Sequence, residues 1–394
     1  MKKNIKSIKK CAVCESKKIK KLINLKKFPL TGIFVKKNIN KNFNYYFNQG
    51  LNICKDCGHL QLANFVSPDL LYNNVYANRT SESFLSDNAI NFFKNFMQKV
   101  IKKKKVNGLL EIGCNDIKLL KSLKNKFLKL YGIDPIWKKK KAPNIKKIEV
   151  IGDYVENINF QKIKSKIDIV VSTHNLEHIA DPYKVLKSFL KNFGDETIFF
   201  VEVPDADLMI KNYRFDQVFH QHYHYFNINS LKNLTNRLNC KIIAKKINYD
   251  FWGGSLMIAF KKNSNAKLNK SNLYKSTSKN VLSHYVKFKK ALNKTNKEIE
   301  NEDNLIGYGA GQMVPSLAYH LNSDLSCLKY IVDDNLKRHN MKYPYLKPNL
   351  KFFNKILIQN KKIFITALDG VRGISNKLKK LNIKYINPLP KNNI

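Results

Sequence analysis

Leu109-Leu-Glu-Ile-Gly-Cys-Asn-Asp-Ile-Lys-Leu-Leu120 joins an apolar run to the first turn of a helix. A glycine directly after a strand lets a ligand approach the backbone, and the carboxyl ends of strands are where doubly wound sheets bind ligands. Outward from this loop, strand-like runs recur at residues 108–112, 128–133, 148–151, 167–171 and 197–203, with helical stretches between several of them. Runs at 240–244 and 255–260 finish the series. This alternation predicts a parallel α/β sheet. Upstream, Phe84, Leu85, Phe92, Phe93, Phe96 and Val100 recur at helical spacing and predict an amphipathic helix over 81–104. The second strand ends at Gly132-Ile-Asp134, where a carboxylate can bind both ribose hydroxyls of an adenosine. A dinucleotide dehydrogenase would want Gly-x-Gly-x-x-Gly, and the loop has only Gly113.

Acid-x-Gly-x-Asn-Asp, followed by an acid ending strand two, resembles the S-adenosylmethionine-binding core of class I methyltransferases. The resemblance implies that Glu111 meets the methionine amino group, directly or through water. It places Gly113, Asn115, Asp116 and Asp134 around the cofactor and puts Gly152-Asp153 where that fold contacts adenine. Ile117 stands at a position usually held by glycine. Ser172-Thr-His-Asn-Leu-Glu-His-Ile-Ala-Asp-Pro182 resembles the Asn-x-x-Glu-His-x-x-Asp-Pro signature of the same fold, with Glu177 and His178 facing the reactive methyl. His174 reads equally as a packed or solvated residue.

Four of the seven cysteines form two pairs, Cys11-Ala-Val-Cys14 and Cys54-Lys-Asp-Cys57. Each pair is a knuckle that presents two thiolates to one tetrahedral zinc. A structural zinc on Cys11, Cys14, Cys54 and Cys57 is expected, with His59 as a spare ligand or a bystander. Disulfides are the weaker reading in a reducing compartment. Phe215-Asp-Gln-Val-Phe-His-Gln-His-Tyr-His-Tyr-Phe-Asn227 packs three of the nine histidines into five residues. Imidazole titrates near neutral pH, so this segment invites acid–base chemistry or metal binding.

The net charge is +43, which first suggests nucleic acid. Only five of the basic residues are arginine, however, and the lysines are spread along the chain. Arg is the better bidentate phosphate reader, so the charge reads as codon-driven composition rich in Lys, Asn and Ile. A positive field still attracts an anionic substrate such as a nucleoside diphosphate. The basic N-terminus is not followed by an apolar run, and no stretch of eighteen apolar residues exists. The expectation is therefore a cytoplasmic protein without a membrane span. Oligomeric state is not legible in the sequence.

Residues 261–279 are polar and lysine-rich. The expected division is a zinc-binding module over 1–75, a methyltransferase domain over 76–262, a linker over 263–280 and a C-terminal Rossmann-like α/β domain over 281–394. A helix is predicted from Val281 to Ile299, and the last unit opens on Asn304-Leu-Ile-Gly-Tyr-Gly-Ala-Gly311. Its glycines suit either a diphosphate at a helix N-terminus or close helix–strand packing.

This order of modules is similar to that of nucleotide-sugar C-methyltransferases, over essentially the whole chain. Gly253-Gly-Ser-Leu256 and Gly307-Tyr-Gly-Ala310 add to the match. The resemblance implies methylation of a ring carbon beside a keto group on a nucleotide-linked deoxy-sugar. It makes His222 the general base and His178 a candidate for the keto oxygen. Tyr76 matches an active-site tyrosine, with interdomain packing as the equal alternative. The family pattern Tyr-His-Glu-His reads Phe219-His220-Gln221-His222 here, which brings His220 and Gln221 into the candidate site. Met257 replaces a usual basic residue. These departures keep O-methylation of a sugar or another small metabolite open as an alternative. A nucleic-acid-binding protein and a binding protein that retains only the fold stand behind it.

Overall fold

The computed structural model describes residues 5–36, 43–71, 86–102, 104, 106–263 and 274–390. Tyr76 lies outside the described residues. The central sheet has seven strands: β1 Gly108–Ile112, β2 Lys129–Ile133, β3 Ile148–Ile151, β4 Ile169–Thr173, β5 Ile198–Pro204, β6 Cys240–Asn248 and β7 Ser255–Lys262. Their spatial order is 6-7-5-4-1-2-3. Strand β7 runs antiparallel to both of its neighbours, and the remaining pairings are parallel. The order reverses between β1 and β4, which opens a crevice at their carboxyl ends.

Strands β1, β4 and β5 are apolar almost throughout because both faces of the sheet are covered. Helix Ser86–Ile101 lays Ala89, Phe93, Phe96 and Met97 on one face. Helix Pro182–Asn192 lays Val185, Leu186, Phe189 and Leu190 on the other. Each fully buried side chain of this size contributes about 1.5–3 kcal/mol. Asp181 caps the second helix by accepting from Lys184 N, and Pro182 suits its first turn. Strand β6 runs four residues beyond its predicted end. It is an edge strand, where the Lys245-Lys246 pair is tolerated on an open flank.

The long spacing between the cysteine pairs is a hairpin. Ile19–Pro29 pairs with Tyr46–Cys54, which pairs with Leu60–Leu62. The fourth strand of that sheet is His224–Tyr225, from the histidine-rich segment. The zinc module and the methyltransferase core therefore share a sheet.

The C-terminal unit has strands β8 Ile306–Tyr308, β9 Tyr330–Asp333, β10 Asn349–Phe352, β11 Ile363–Ile365 and β12 Tyr385–Ile386. They are all parallel in the order 10-9-8-11-12, a Rossmann-like half. The predicted linker is corrected by helix Tyr274–Glu300, which starts well inside it. The polar, lysine-rich first turns hid the helix, but Tyr274 packs against the core and Val281, Phe288, Leu292 and Ile299 are fully buried. This helix packs on strand Ile19–Pro29, on helix Ala206–Lys211 and on helix Val314–Leu321, so it ties the three units together. Among the described residues no helix is long and apolar enough to cross a membrane.

Candidate active site

Gly113 takes φ +74, and a Cβ there would lie 2.4 Å from the Asn175 side chain. The loop after it is fixed by Asp134, whose two oxygens accept from Asn115 N at 2.8 Å and Ile136 N at 2.9 Å. Trp137 Nε1 donates to Asn115 O at 2.7 Å. Glu111 is 3% exposed, and its Oε2 has no hydrogen-bond partner among the described residues. Burial, then Asp134 and Asp116, push its carboxyl well above the usual range. A buried carboxyl group awaiting a donor, an open glycine backbone and an acid ending β2 fit the ammonium, the amino-acid portion and the ribose of S-adenosylmethionine.

Ile117 has φ 60, a strained conformation for a β-branched residue. Its side chain is fully buried in the core with Leu120 and Leu123, so it leaves the crevice clear. Asp116 adds its charge to that of Asp134 beside Glu111. Asp153 is engaged locally: its Oδ1 accepts from Tyr154 N and faces Lys138 Nζ at 3.3 Å, while Tyr154 and Val155 line the cleft.

The same cleft, about 1940 Å³, runs on past the ends of β4 and β5 to the C-terminal unit. Glu177 sits on the turn Leu176–His178 and is 1% exposed. Neither of its oxygens has a hydrogen-bond partner among the described residues. Its Oε1 lies 3.7 Å from His174 Nδ1, 3.9 Å from His178 Nε2 and 4.0 Å from His222 Nε2. His174 also faces Glu202 Oε1 at 3.5 Å and Ser255 Oγ at 3.1 Å. Burial disfavours a charged His174, but Glu177 and Glu202 outweigh it and raise the imidazole to about 9. His222 is held well below its usual value by burial, then by His178 and His174. Burial lowers His178 as well, with Glu177 opposing. His178 Nδ1 lies 2.8 Å from the Gln221 carbonyl, which can only accept, so neutral His178 carries its lone pair on Nε2. Phe219 packs on His222 at 4.2 Å, and Trp252 covers His222 at 5.6 Å and His174 at 6.0 Å.

The other histidines of the segment face the zinc module. His220 Nε2 donates to Phe28 O at 3.1 Å and Nδ1 accepts from Gln49 Nε2 at 3.2 Å. Gln221 bonds Thr31 through both ends of its amide, so only its backbone reaches the site. His224 Nε2 donates to Ile179 O at 3.0 Å and its Nδ1 accepts from His59 Nε2 at 3.3 Å, which makes His59 its partner. Tyr223 and Tyr225 give their hydroxyls to Val66 O and Gln217 O. Met257 lies in the core under helix Ser86–Ile101, away from the cleft. His220 and the Gln221 side chain thus differ from their expected places because the segment docks on the zinc module through Phe28, Gln49 and Thr31, and Met257 differs because its position on β7 faces the core under helix Ser86–Ile101. Glu202 and Trp252 were not anticipated. An acid at the carboxyl end of β5 was the available signal for Glu202.

Cys11, Cys14, Cys54 and Cys57 converge, with sulfurs 3.6 Å apart for Cys11–Cys57 and 3.5 Å for Cys14–Cys54. Four thiolates at zinc distance lie about 3.8 Å apart in a tetrahedron, so the cluster fits one structural zinc.

On the far wall, Gly309 has φ +99 and Asp333 Oδ2 accepts from Ala310 N at 2.6 Å. Arg338, Arg372 and Lys377 line this end of the cleft, and Lys138 the other.

Residues 84–245 match the family described as "Methyltransferase domain", and residues 11–72 match "Putative zinc binding domain". C-methyltransferase NovU of Streptomyces niveus is 22% identical over 261 residues, which cover 64% of this chain and 61% of that protein. Among solved structures, the plantazolicin methyltransferase BpumL in complex with SAH is 16% identical with a TM-score of 0.34, covering 45% of this chain and 89% of that one. The N-methyltransferase NodS from Bradyrhizobium japonicum WM9 is 13% identical with a TM-score of 0.34, covering 45% and 99%. Strand order, crevice and both family matches agree that this chain carries a class I S-adenosylmethionine-dependent methyltransferase domain behind a zinc-binding domain.

Proposed function

We propose that the chain methylates a ring carbon beside the keto group of a nucleotide-linked deoxy-sugar. The observation that carries this reading is Glu177 with His178 and His222, in the same cleft as Gly113 and Asp134. A carbon acid must lose a proton before it attacks a methyl sulfonium. Neutral imidazole can remove it where the enolate is stabilised. Bound S-adenosylmethionine supplies the electrophilic methyl.

His222 is the candidate base, kept neutral by burial and shielded from water by Phe219 and Trp252. The carbon-bound proton passes to its imidazole, and the C–H electron pair becomes the enolate. That pair then forms the new C–C bond as the C–S bond breaks, leaving a neutral thioether. His178 can hold a keto oxygen only when protonated, because its neutral tautomer offers a lone pair at Nε2. Tyr76 keeps only the role that the resemblance implies. The nucleotide diphosphate is assigned to the C-terminal end, where the open backbone at Gly309 and Gly311 meets Arg338, Arg372 and Lys377, cations that would exchange their aspartate partners for phosphate.

The test is incubation with S-adenosylmethionine and a nucleoside-diphosphate keto-deoxyhexose in deuterated water. Solvent deuterium should enter the carbon beside the ketone, and product fragmentation should place the methyl on a ring carbon. A methyl on oxygen would replace this reading with O-methylation. No exchange with an authentic substrate would remove the enolate step.

A further inference from the structure

We infer that Glu177 is the positioning residue of the histidine pair and supplies the negative charge that Gln221 cannot. This rests on the reading of the His178–His222 pair as the proton-accepting site. The departure from Glu to Gln at position 221 would leave a base without a counter-ion. Gln221, however, directs its side chain to Thr31, whereas Glu177 directs its own between the two imidazoles. The carboxylate reaches them from a different element, the turn that ends β4.

Three imidazole nitrogens surround one oxygen of Glu177 at 3.7–4.0 Å, and no hydrogen bond from any described residue competes for it. His174 braces it from behind, with its other nitrogen on Ser255 and Glu202. His174 takes φ +46, a region uncommon for residues other than glycine. Glu177 and His174 face the pair, the Tyr225 ring faces His222, and Glu202 lies behind them through His174. Two carboxylates and one imidazolium leave one net negative charge while His178 and His222 are neutral. A proton arriving from the substrate carbon brings the cluster to neutrality. His178 is 22% exposed against 3% for His222, so it is the member open to the cleft for returning that proton to solvent.

Glu177, His178 and His222 also lie close enough together to hold a divalent cation. The His174 ring 3.7 Å from the same carboxylate oxygen opposes that, because a second cation would sit beside an imidazolium.

The test is imidazole nitrogen NMR on the full chain, zinc-loaded and saturated with S-adenosylhomocysteine, titrated from the neutral range down to the acid limit of folding, because His178 and His222 lie below their usual value. Two variants have opposite expected signs. Glu177→Gln should move the His178 and His222 titrations to lower pH by about one unit. His174→Asn, which suits a positive φ, leaves two carboxylates unbraced and should move them to higher pH. With the keto-sugar substrate, Glu177→Gln should slow deuterium exchange about tenfold or more, with KM nearly unchanged. Titrations that stay in place, or that move the same way in both variants, overturn the inference. So does a second metal ion, beyond the single zinc, that Glu177→Gln releases. If the wild type exchanges no deuterium, the proposed reaction fails, while the titrations still decide the role of Glu177.

Discussion

Asp369 of the C-terminal unit lies 2.5 Å from Arg214 Nη2 in the methyltransferase core. Arg214 is 3% exposed and holds Asp216 through two further hydrogen bonds. Gln217 Nε2 donates to both Asp369 Oδ1 at 3.3 Å and Trp252 O at 2.7 Å. Trp252 covers His222, so the loop that enters the last helix of the C-terminal unit is three contacts from the candidate base.

Asp369→Ala removes one of two counter-ions from a buried guanidinium. The cost should be about 1–2 kcal/mol, because Asp216 remains and Asp369 is partly exposed. Urea unfolding measures that loss. Affinity for S-adenosylhomocysteine should be unchanged, since the latch makes no contact with Gly113 or Asp134, while KM for the proposed sugar-nucleotide substrate rises. A weakened cofactor affinity with unchanged KM would contradict the latch.

Gly113→Ala tests the cofactor loop. At φ +74 any side chain is strained, and the added Cβ would lie 2.4 Å from Asn175. The loop must shift, and with it the backbone that meets the cofactor. The expected result is a fold that survives and a calorimetric affinity for S-adenosylhomocysteine weakened about tenfold or more. Retained affinity would place the cofactor away from this loop.

The strands were legible because each strand of the central sheet is a short apolar run, and β1 and β3 begin and end at the predicted residues. The cysteine pairs were legible because their spacing is local. The roles of His220 and Gln221 were not, because they depend on Thr31, Gln49 and Phe28, nearly two hundred residues away. No periodicity within Phe219–Tyr225 signals that it completes another module's sheet. Helix Tyr274–Glu300 was cut short because its first turns carry polar residues on every side and only later turns show the buried stripe. At Ile117 the sequence shows the backbone but not the side chain. Its unusual φ was foreshadowed by the missing glycine, but its side chain packs inward and does not obstruct the crevice.

Zinc removal should reach the histidines. The sheet held by the four-cysteine cluster has His224–Tyr225 as its edge strand, and His59 beside the cluster bonds His224. Purified chain should contain one zinc. Cys54→Ser, or a strong chelator, should lower the unfolding temperature and shift the imidazole resonances of His222 and His224 before global unfolding. Unaltered resonances in the metal-free chain would show that the two modules are structurally independent.

Acid should unfold this protein through its buried histidines. Burial lowers His220 and His224 to about 4 and His320 to about 3, against an ordinary value near 6.5. In that interval the unfolded chain binds protons that the folded chain refuses. The stability these groups contribute is present above pH 6.5 and is lost as pH falls through their folded values. Each group adds a slope of about 1.4 kcal/mol per pH unit. His174 runs the other way: raised to about 9, it stabilises below 6.5 and that contribution fades as pH climbs through 9. Stability should therefore peak near pH 6.5 and fall steeply on the acid side. Thiolate protonation and zinc loss also act there, so the informative comparison is wild type against His220→Gln, which share the cluster. The variant should be less stable at neutral pH, because Phe28 O and Gln49 lose a partner, and its acid limb should be shallower by about one proton. Parallel acid limbs in denaturant titrations would mean that His220 does not titrate on unfolding, and the acid sensitivity would then belong to the cysteine cluster.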